Sequence, residues 1–164
     1  MEVDQFRTEV SRRIEAPADR IFDILANPQR HTDLDGSEML RGAVSNEMIT
    51  GVGDVFSMKM FMDEVGDYVM MNYVVEFEAN RCIGWEPAPG DAVASEDGKY
   101  PIGVPAGHKW SFHLNPDGVD ATMVTEIFDC SSASEELREA IRNGESWIES
   151  MTTTLARLDT LCTK

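Results

Sequence analysis

The sequence is poor in closely spaced cysteine, in basic residues and in long apolar runs, and each shortage removes a class of function. Its three cysteines, Cys82, Cys130 and Cys162, are an odd number with wide, irregular spacing, and no CxxC pair or cysteine–histidine cluster accompanies them. A structural zinc site is therefore not expected, and reduced, part-buried thiols are. Lysine and arginine total 14 against 30 aspartates and glutamates, a net charge of −16, and the basic residues form nothing longer than the Arg12–Arg13 doublet. Such a chain repels phosphate backbones and anionic lipid, so nucleic-acid binding is not expected. No apolar run reaches membrane-spanning length, and the polar opening MEVDQFRTEV does not read as a secretion signal. No membrane insertion is expected, and the cytoplasm is the expected compartment.

Catalytic signatures are scarce as well. There is no GxGxxG or P-loop glycine pattern, no GxSxG elbow, and no cysteine with a nearby histidine or basic residue to activate it. The histidines, His31, His108 and His113, lack metal-ligand spacing. No cofactor and no metal are expected.

What remains is ordinary globular material: 42% hydrophobic and 27% charged residues over 164 positions, enough for one domain spanning residues 1–164. Residues Phe6 to Ile14 mix apolar and polar side chains as a half-exposed strand does. Pro17 suits the first turn of a helix carrying Ile21, Phe22, Ile24 and Leu25, and Asn27-Pro28 ends it. The polar stretch Gln29 to Gly36 allows one more helical turn. Strand patterns follow. Met58, Met60 and Met62 share one face, and Val69, Met71, Tyr73, Val75 and Phe77 make a second alternating row. Cys82 to Trp85, then Trp110, Phe112 and Leu114, then Thr122 to Cys130 continue the series, with Asn115-Pro116-Asp117-Gly118 as a turn. With a weaker strand near Met39 to Val44 the count is about seven, and the short links favour antiparallel pairing.

One link is long. Pro87 to Gly107 holds four prolines, four glycines and the acidic patch Asp91, Glu96, Asp97, and loops of that length are either functional or disordered. After it, Ser134 followed by Glu135 and Glu136 caps a terminal helix. Leu137, Ile141, Ile148, Met151, Leu155 and Leu158 form its stripe, bordered by Trp147 and Leu161. The pattern predicts a helix from Ser134 to about Cys162, roughly 40 Å long at 1.5 Å per residue, with a bend or a close contact at Gly144.

This order of elements, together with Ser11 to Pro28 (SRRIEAPADRIFDILANP), His31 to Ser37, Val75-Glu76-Phe77, Ile83-Gly84-Trp85, Gly107-His108-Lys109-Trp110 and Thr122 to Asp129, resembles the START-like/Bet v 1-like superfamily, specifically its SRPBCC group of polyketide cyclase/dehydrase and lipid-transport proteins. The likeness spans essentially the whole chain. It implies an α+β helix-grip fold, in which a curved antiparallel sheet of about seven strands wraps a long C-terminal helix in β-α-α-β6-α order. It also implies a cavity for a hydrophobic molecule; relatives bind lipids, sterols, polyketides or hormones, and some are enzymes. The long loop before Gly107 resembles that of one bacterial branch. Catalytic residues are not shared between branches, so the resemblance assigns none here.

Candidate residues come from the pattern itself. Ten methionines are many for this length, and their flexible, polarisable side chains suit a pocket that accepts varied apolar ligands. Three tryptophans add large apolar area with one N–H each. The expected lining is Met58, Met60, Tyr73, Trp85, Trp110, Phe112, Trp147 and Met151. His31, Asp35 and Glu126 are candidates for proton transfer. For His31, exposure in a polar loop is the commoner situation. Glu126 shares a face with Val124 and Phe128, while Met123, Thr125 and Ile127 share the other. A solvated glutamate is the expectation; an inward Val124–Phe128 face would make it a buried carboxyl with a raised pKa. His113, alternating with Phe112, should face solvent.

The leading functional expectation is binding or transport of a hydrophobic small molecule, whether lipid, polyketide or aromatic metabolite, by a monomer or homodimer. The alternative is a cyclase, aromatase or dehydratase using the same cavity. A protein-interaction or stress-related module, motivated by the acidic surface and the long loop, is a third.

Overall fold

The computed structural model describes residues 5–95 and 98–164. Strand β1 (Arg7–Ile14) leads past Pro17, whose extended backbone (φ −69°, ψ 152°) precedes helix α1 (Ala18–Leu25). Helix α1 buries Ile21, Phe22, Ile24 and Leu25 on one face. It stops where expected: the Asn27 side chain accepts from the Gln29 amide, and Pro28 opens a 3₁₀ turn that runs into α2 (His31–Leu34).

Six strands follow: β2 (Leu40–Ala43), β3 (Val55–Met62), β4 (Gly66–Glu78), β5 (Cys82–Pro89), β6 (Lys109–Pro116) and β7 (Thr122–Asp129). With β1 they form one seven-stranded antiparallel sheet in the order β1-β7-β6-β5-β4-β3-β2. The two short helices thus carry the chain from one sheet edge to the other, and β3 to β7 walk back by antiparallel neighbours until β7 pairs with β1. This is the α+β helix-grip arrangement, a curved sheet around a C-terminal helix, that the order of elements implied.

Alternation alone misjudged β4. Its pairing with β5 shifts register between Val74 and Glu76, a bulge that reverses which residues face inward. Tyr68, Asn72 and Val74 are buried before it, and Phe77 packs on the core after it, its ring 5.3 Å from Phe22.

The single helix expected from Ser134 to about Cys162 is corrected. Ser134 does cap a helix, its hydroxyl accepting from the Leu137 amide at 3.1 Å, but α3 (Glu135–Ala140) is short. Arg142, Asn143 and Gly144 take positive φ (51°, 56° and 97°) and break the helix before α4 (Ile148–Thr163). Gly144 shows why: a Cβ there would sit 2.5 Å from Thr8 Oγ1 and 2.9 Å from the Phe128 ring, so only glycine permits this approach to the sheet. Within α4, Met151, Leu155, Leu158 and Cys162 are buried, whereas Ile148, assigned to the same stripe by spacing, is exposed at the first position of the helix.

The long link begins later than expected because β5 runs on to Pro89. The loop folds back on the sheet: the Gly103 amide donates to the Pro89 carbonyl at 2.8 Å, and the Tyr73 hydroxyl donates to the Gly103 carbonyl at 2.6 Å. Glu96 and Asp97, two of the three acids of its patch, lie outside the described residues.

Candidate functional site

A cavity of about 230 Å³ lies between the inner face of the sheet and the segments around α2 and α4. Its size falls between the roughly 150 Å³ apolar void that accepts benzene and the roughly 300 Å³ at which drug-sized sites begin. Five of the ten methionines, Met39, Met58, Met60, Met70 and Met151, line it. So do all three tryptophans, from β5, β6 and the turn before α4.

Two aromatic groups border the space. In one, Trp85 meets Phe56 edge-on (5.2 Å), stacks on His31 (5.3 Å) and approaches Phe112 (6.1 Å). In the other, Trp110 lies 4.5 Å from Phe128 and meets Trp147 edge-on at 5.8 Å. Offset and edge-to-face rings of this kind add to simple area burial.

The polar groups between them carry the chemistry. His31 is 5% exposed, which overturns the expected surface position; α1 and α2 fold its ring under β3 and β5. Its Nε2 donates to the Leu25 carbonyl at 2.8 Å. A carbonyl can only accept, so the neutral ring keeps its lone pair on Nδ1. Burial pushes the His31 pKa down, opposed by the Leu25 bond and by Asp35.

Glu126 is likewise 5% exposed rather than solvated. Val124 and Phe128 are the inward residues of β7, so Glu126, on their face, points inward too, and its Oε1 has no hydrogen-bond partner. Burial raises its pKa well above the usual carboxyl value, and the charge of Asp35 adds to the rise. Asp35 is a different kind of acid. Its carboxylate accepts from the Ser37 amide (3.0 Å), the Ser37 hydroxyl (2.7 Å) and the Leu40 amide (2.9 Å), so it organises the turn from α2 into β2.

Of the expected lining, Met58, Met60, Trp85, Trp110, Phe112, Trp147 and Met151 border the cavity, as do His31, Asp35 and Glu126. Tyr73 does not. The β4 residues on the cavity are Tyr68, Met70 and Asn72, the row opposite to the one containing Tyr73, and Tyr73 instead holds Gly103 of the long loop. His113 is half-exposed and faces away from Phe112, near Glu76.

Sequence reading missed His108, Tyr68 and Asn72. Extending the Trp110–Phe112 alternation back one step would have found His108; Gly107, whose φ of +104° and contact with Ser132 leave no room for a Cβ, delivers it there. Burial depresses the His108 pKa to about 4, and its Nδ1 has no partner. Tyr68 is pushed up to about 12 by burial and then by Asp35. Asn72 donates to the Phe56 carbonyl at 3.3 Å. Among the described residues no lysine or arginine lines the cavity. Among the described residues no group of three or more His, Cys, Asp or Glu is arranged to hold a metal, and no helix is long and apolar enough to cross a membrane.

No family model matches the chain. It is 32% identical over 149 residues to the uncharacterised protein Rv0088 of Mycobacterium tuberculosis, covering 90% of this chain but 56% of that protein. The chain therefore spans about half the length of the curated relatives it matches. Among solved structures it is similar to protein Ms6760 of Mycobacterium smegmatis (TM-score 0.69, 17% identity, 99% of this chain and 94% of that one). It is also similar to the Zhui aromatase/cyclase of a Streptomyces species (TM-score 0.64, 13% identity, 95% and 92%). At these identities the likeness is one of fold.

Proposed function

We propose that the chain is a START-like/SRPBCC domain of the cytoplasm that binds a small, mostly apolar molecule in the methionine- and tryptophan-lined cavity. The observation that carries the reading is a space of about 230 Å³ walled by five methionines and three tryptophans and bordered by residues whose buried polar atoms lack a hydrogen-bond partner. A folding core alone has no use for such atoms, since each buried group without a partner costs about 1–3 kcal/mol; a ligand that meets them recovers that loss on binding. Adaptable methionines interleaved with rigid indoles favour a flat ring system over a long acyl chain, for which the volume is small. Native mass spectrometry of gently purified protein, with tryptophan quenching by a panel of aromatics and lipids, tests the reading. Quenching by ring compounds of one to three rings is the expected result. No quenching by any class would refute it.

A second reading is favoured by one observation: His31 and Glu126 both border the cavity, and burial lowers the pKa of the first while it raises that of the second. A neutral imidazole with a free Nδ1 is a base, and a carboxyl that keeps its proton is an acid. A bound β-hydroxy ketone could lose its α-proton to Nδ1 while Glu126 protonates the departing hydroxyl, releasing water and leaving the enone. The fold likeness to an aromatase/cyclase is compatible with such dehydration. Turnover of a hydroxyketone substrate that disappears in both His31→Gln and Glu126→Gln supports this reading. Full activity in both variants would remove its mechanism.

A further inference from the structure

Four buried polar side-chain atoms in the described residues lack a hydrogen-bond partner: Glu76 Oε1, His108 Nδ1, Glu126 Oε1 and Trp147 Nε1. Glu76 lies on the other side of the sheet, with Lys109 and His113 at 3.6 and 3.8 Å. The residues that carry the other three all line the cavity. The β6–β7 register explains their gathering. Phe112 faces Glu126 and Trp110 faces Phe128, while His108 is two residues before Trp110 and therefore on the same side of the strand. The His108 ring lies 5.8 Å from Phe128, and Trp147 closes on Trp110 at 5.8 Å and on Phe128 at 6.3 Å. His108 and Trp147 thus border the Trp110–Phe128 pair, Glu126 lies two residues from Phe128 on the same face of β7, and the three come from β7, the residue before β6 and the turn before α4.

Their donor and acceptor types are complementary to one group. The Trp147 indole only donates; a protonated Glu126 carboxyl donates or accepts; a neutral His108 Nδ1 accepts in one tautomer. A hydroxyl has two lone pairs and one proton, so it can accept from Trp147 and Glu126 while donating to His108. Charge narrows the ligand further. The lining holds no cation, and Asp35 contributes a negative field that already reaches Glu126 and Tyr68. A carboxylate or phosphate entering this space would be desolvated with no counter-charge, which disfavours it.

We infer that Glu126, His108 and Trp147 form a subsite for the phenolic hydroxyl of an uncharged aromatic ligand of one or two fused rings, whose ring sits among the methionines. This deepens, and rests on, the reading of the cavity as a ligand site.

The test compares naphthalene, 2-naphthol and 2-naphthoate at pH 7, read by intrinsic fluorescence and calorimetry on the whole chain. The expected result is 2-naphthol binding at least about tenfold more tightly than naphthalene, consistent with one or two net hydrogen bonds, and 2-naphthoate binding no better than naphthalene. Trp147→Phe, which leaves Trp85 and Trp110 as reporters, and Glu126→Leu should each reduce the ratio of naphthol to naphthalene affinity about fivefold. Equal binding of naphthol and naphthalene, tighter binding of naphthoate, or an undiminished preference in both variants overturns the subsite and leaves the cavity reading standing. Failure of all three probes to bind overturns both.

Discussion

The imidazole of His31 lies against the indole of Trp85, centroids 5.3 Å apart and planes 21° from parallel, with His31 Nε2 fixed on the Leu25 carbonyl. The contact ties the α1–α2 segment to the middle of the sheet and places a neutral base beside an apolar space. It also makes acid a threat to the fold, because protonating His31 charges a group that burial disfavours.

Histidine burial sets the acid limb of stability. The folded-state pKa values of His31 and His108 lie below the ordinary 6.5, His108 at about 4. The unfolded chain therefore binds more protons between those values, and stability falls as pH drops from 6.5 toward 4. Thermal melts of His108→Gln should show a shallower fall than the parent across that window. An identical slope would mean His108 is solvated.

Glu126 acts in the opposite sense. Its folded pKa is raised, so the native state holds a proton that the unfolded chain releases from about pH 4.5 upward, and its contribution to stability declines as pH rises through that region. Glu126→Gln should gain on the parent in melting temperature as pH rises from 4.5 to 8. A constant difference across that range would count against a buried, protonated carboxyl.

Gly144→Ala should destabilise by about 1–3 kcal/mol, since alanine must take φ near +97° and push on Thr8 and Phe128. Because Trp147 follows three residues later, ligand affinity should fall as well. Denaturant unfolding alongside quenching measures both, and an unchanged midpoint would show that the turn relaxes freely.

Side-chain truncation separates cavity from core. Leu158, fully buried among apolar neighbours, should cost about 2–5 kcal/mol on change to alanine, whereas Met60, which borders open space, should cost under about 1.5 kcal/mol. Equal losses in urea unfolding would indicate that the cavity is filled by the protein itself.

Tyr73→Phe removes the 2.6 Å bond to Gly103 and should cost about 0.5–1.5 kcal/mol. Proteolysis within the long loop should quicken while ligand affinity stays the same, since Tyr73 is outside the cavity. Weakened binding instead would make the loop part of the site.

Much of this protein could be read along the chain. Pro17 and Asn27-Pro28 bracket α1, Ser134 caps α3, and alternation in β3 and β6 places Met58, Trp110 and Phe112 on their correct faces, because each of these signals is local or strictly periodic. Folding in three dimensions decided the rest. Both faces of β4 and β7 carry apolar residues, so period two says that the faces differ without saying which is inside; the bulge after Val74 put Phe77 on the face opposite to Tyr73, and packing turned Glu126 inward. Spacing alone continued the terminal helix through Gly144, and only the closeness of Thr8 and Phe128 shows why it breaks there. His31 looks like a loop residue until α1 and α2 fold it against Trp85. The cavity's polar end has the same origin. Glu126, His108 and Trp147 come from distant parts of the chain, and sheet register and the helix break alone bring them to one space.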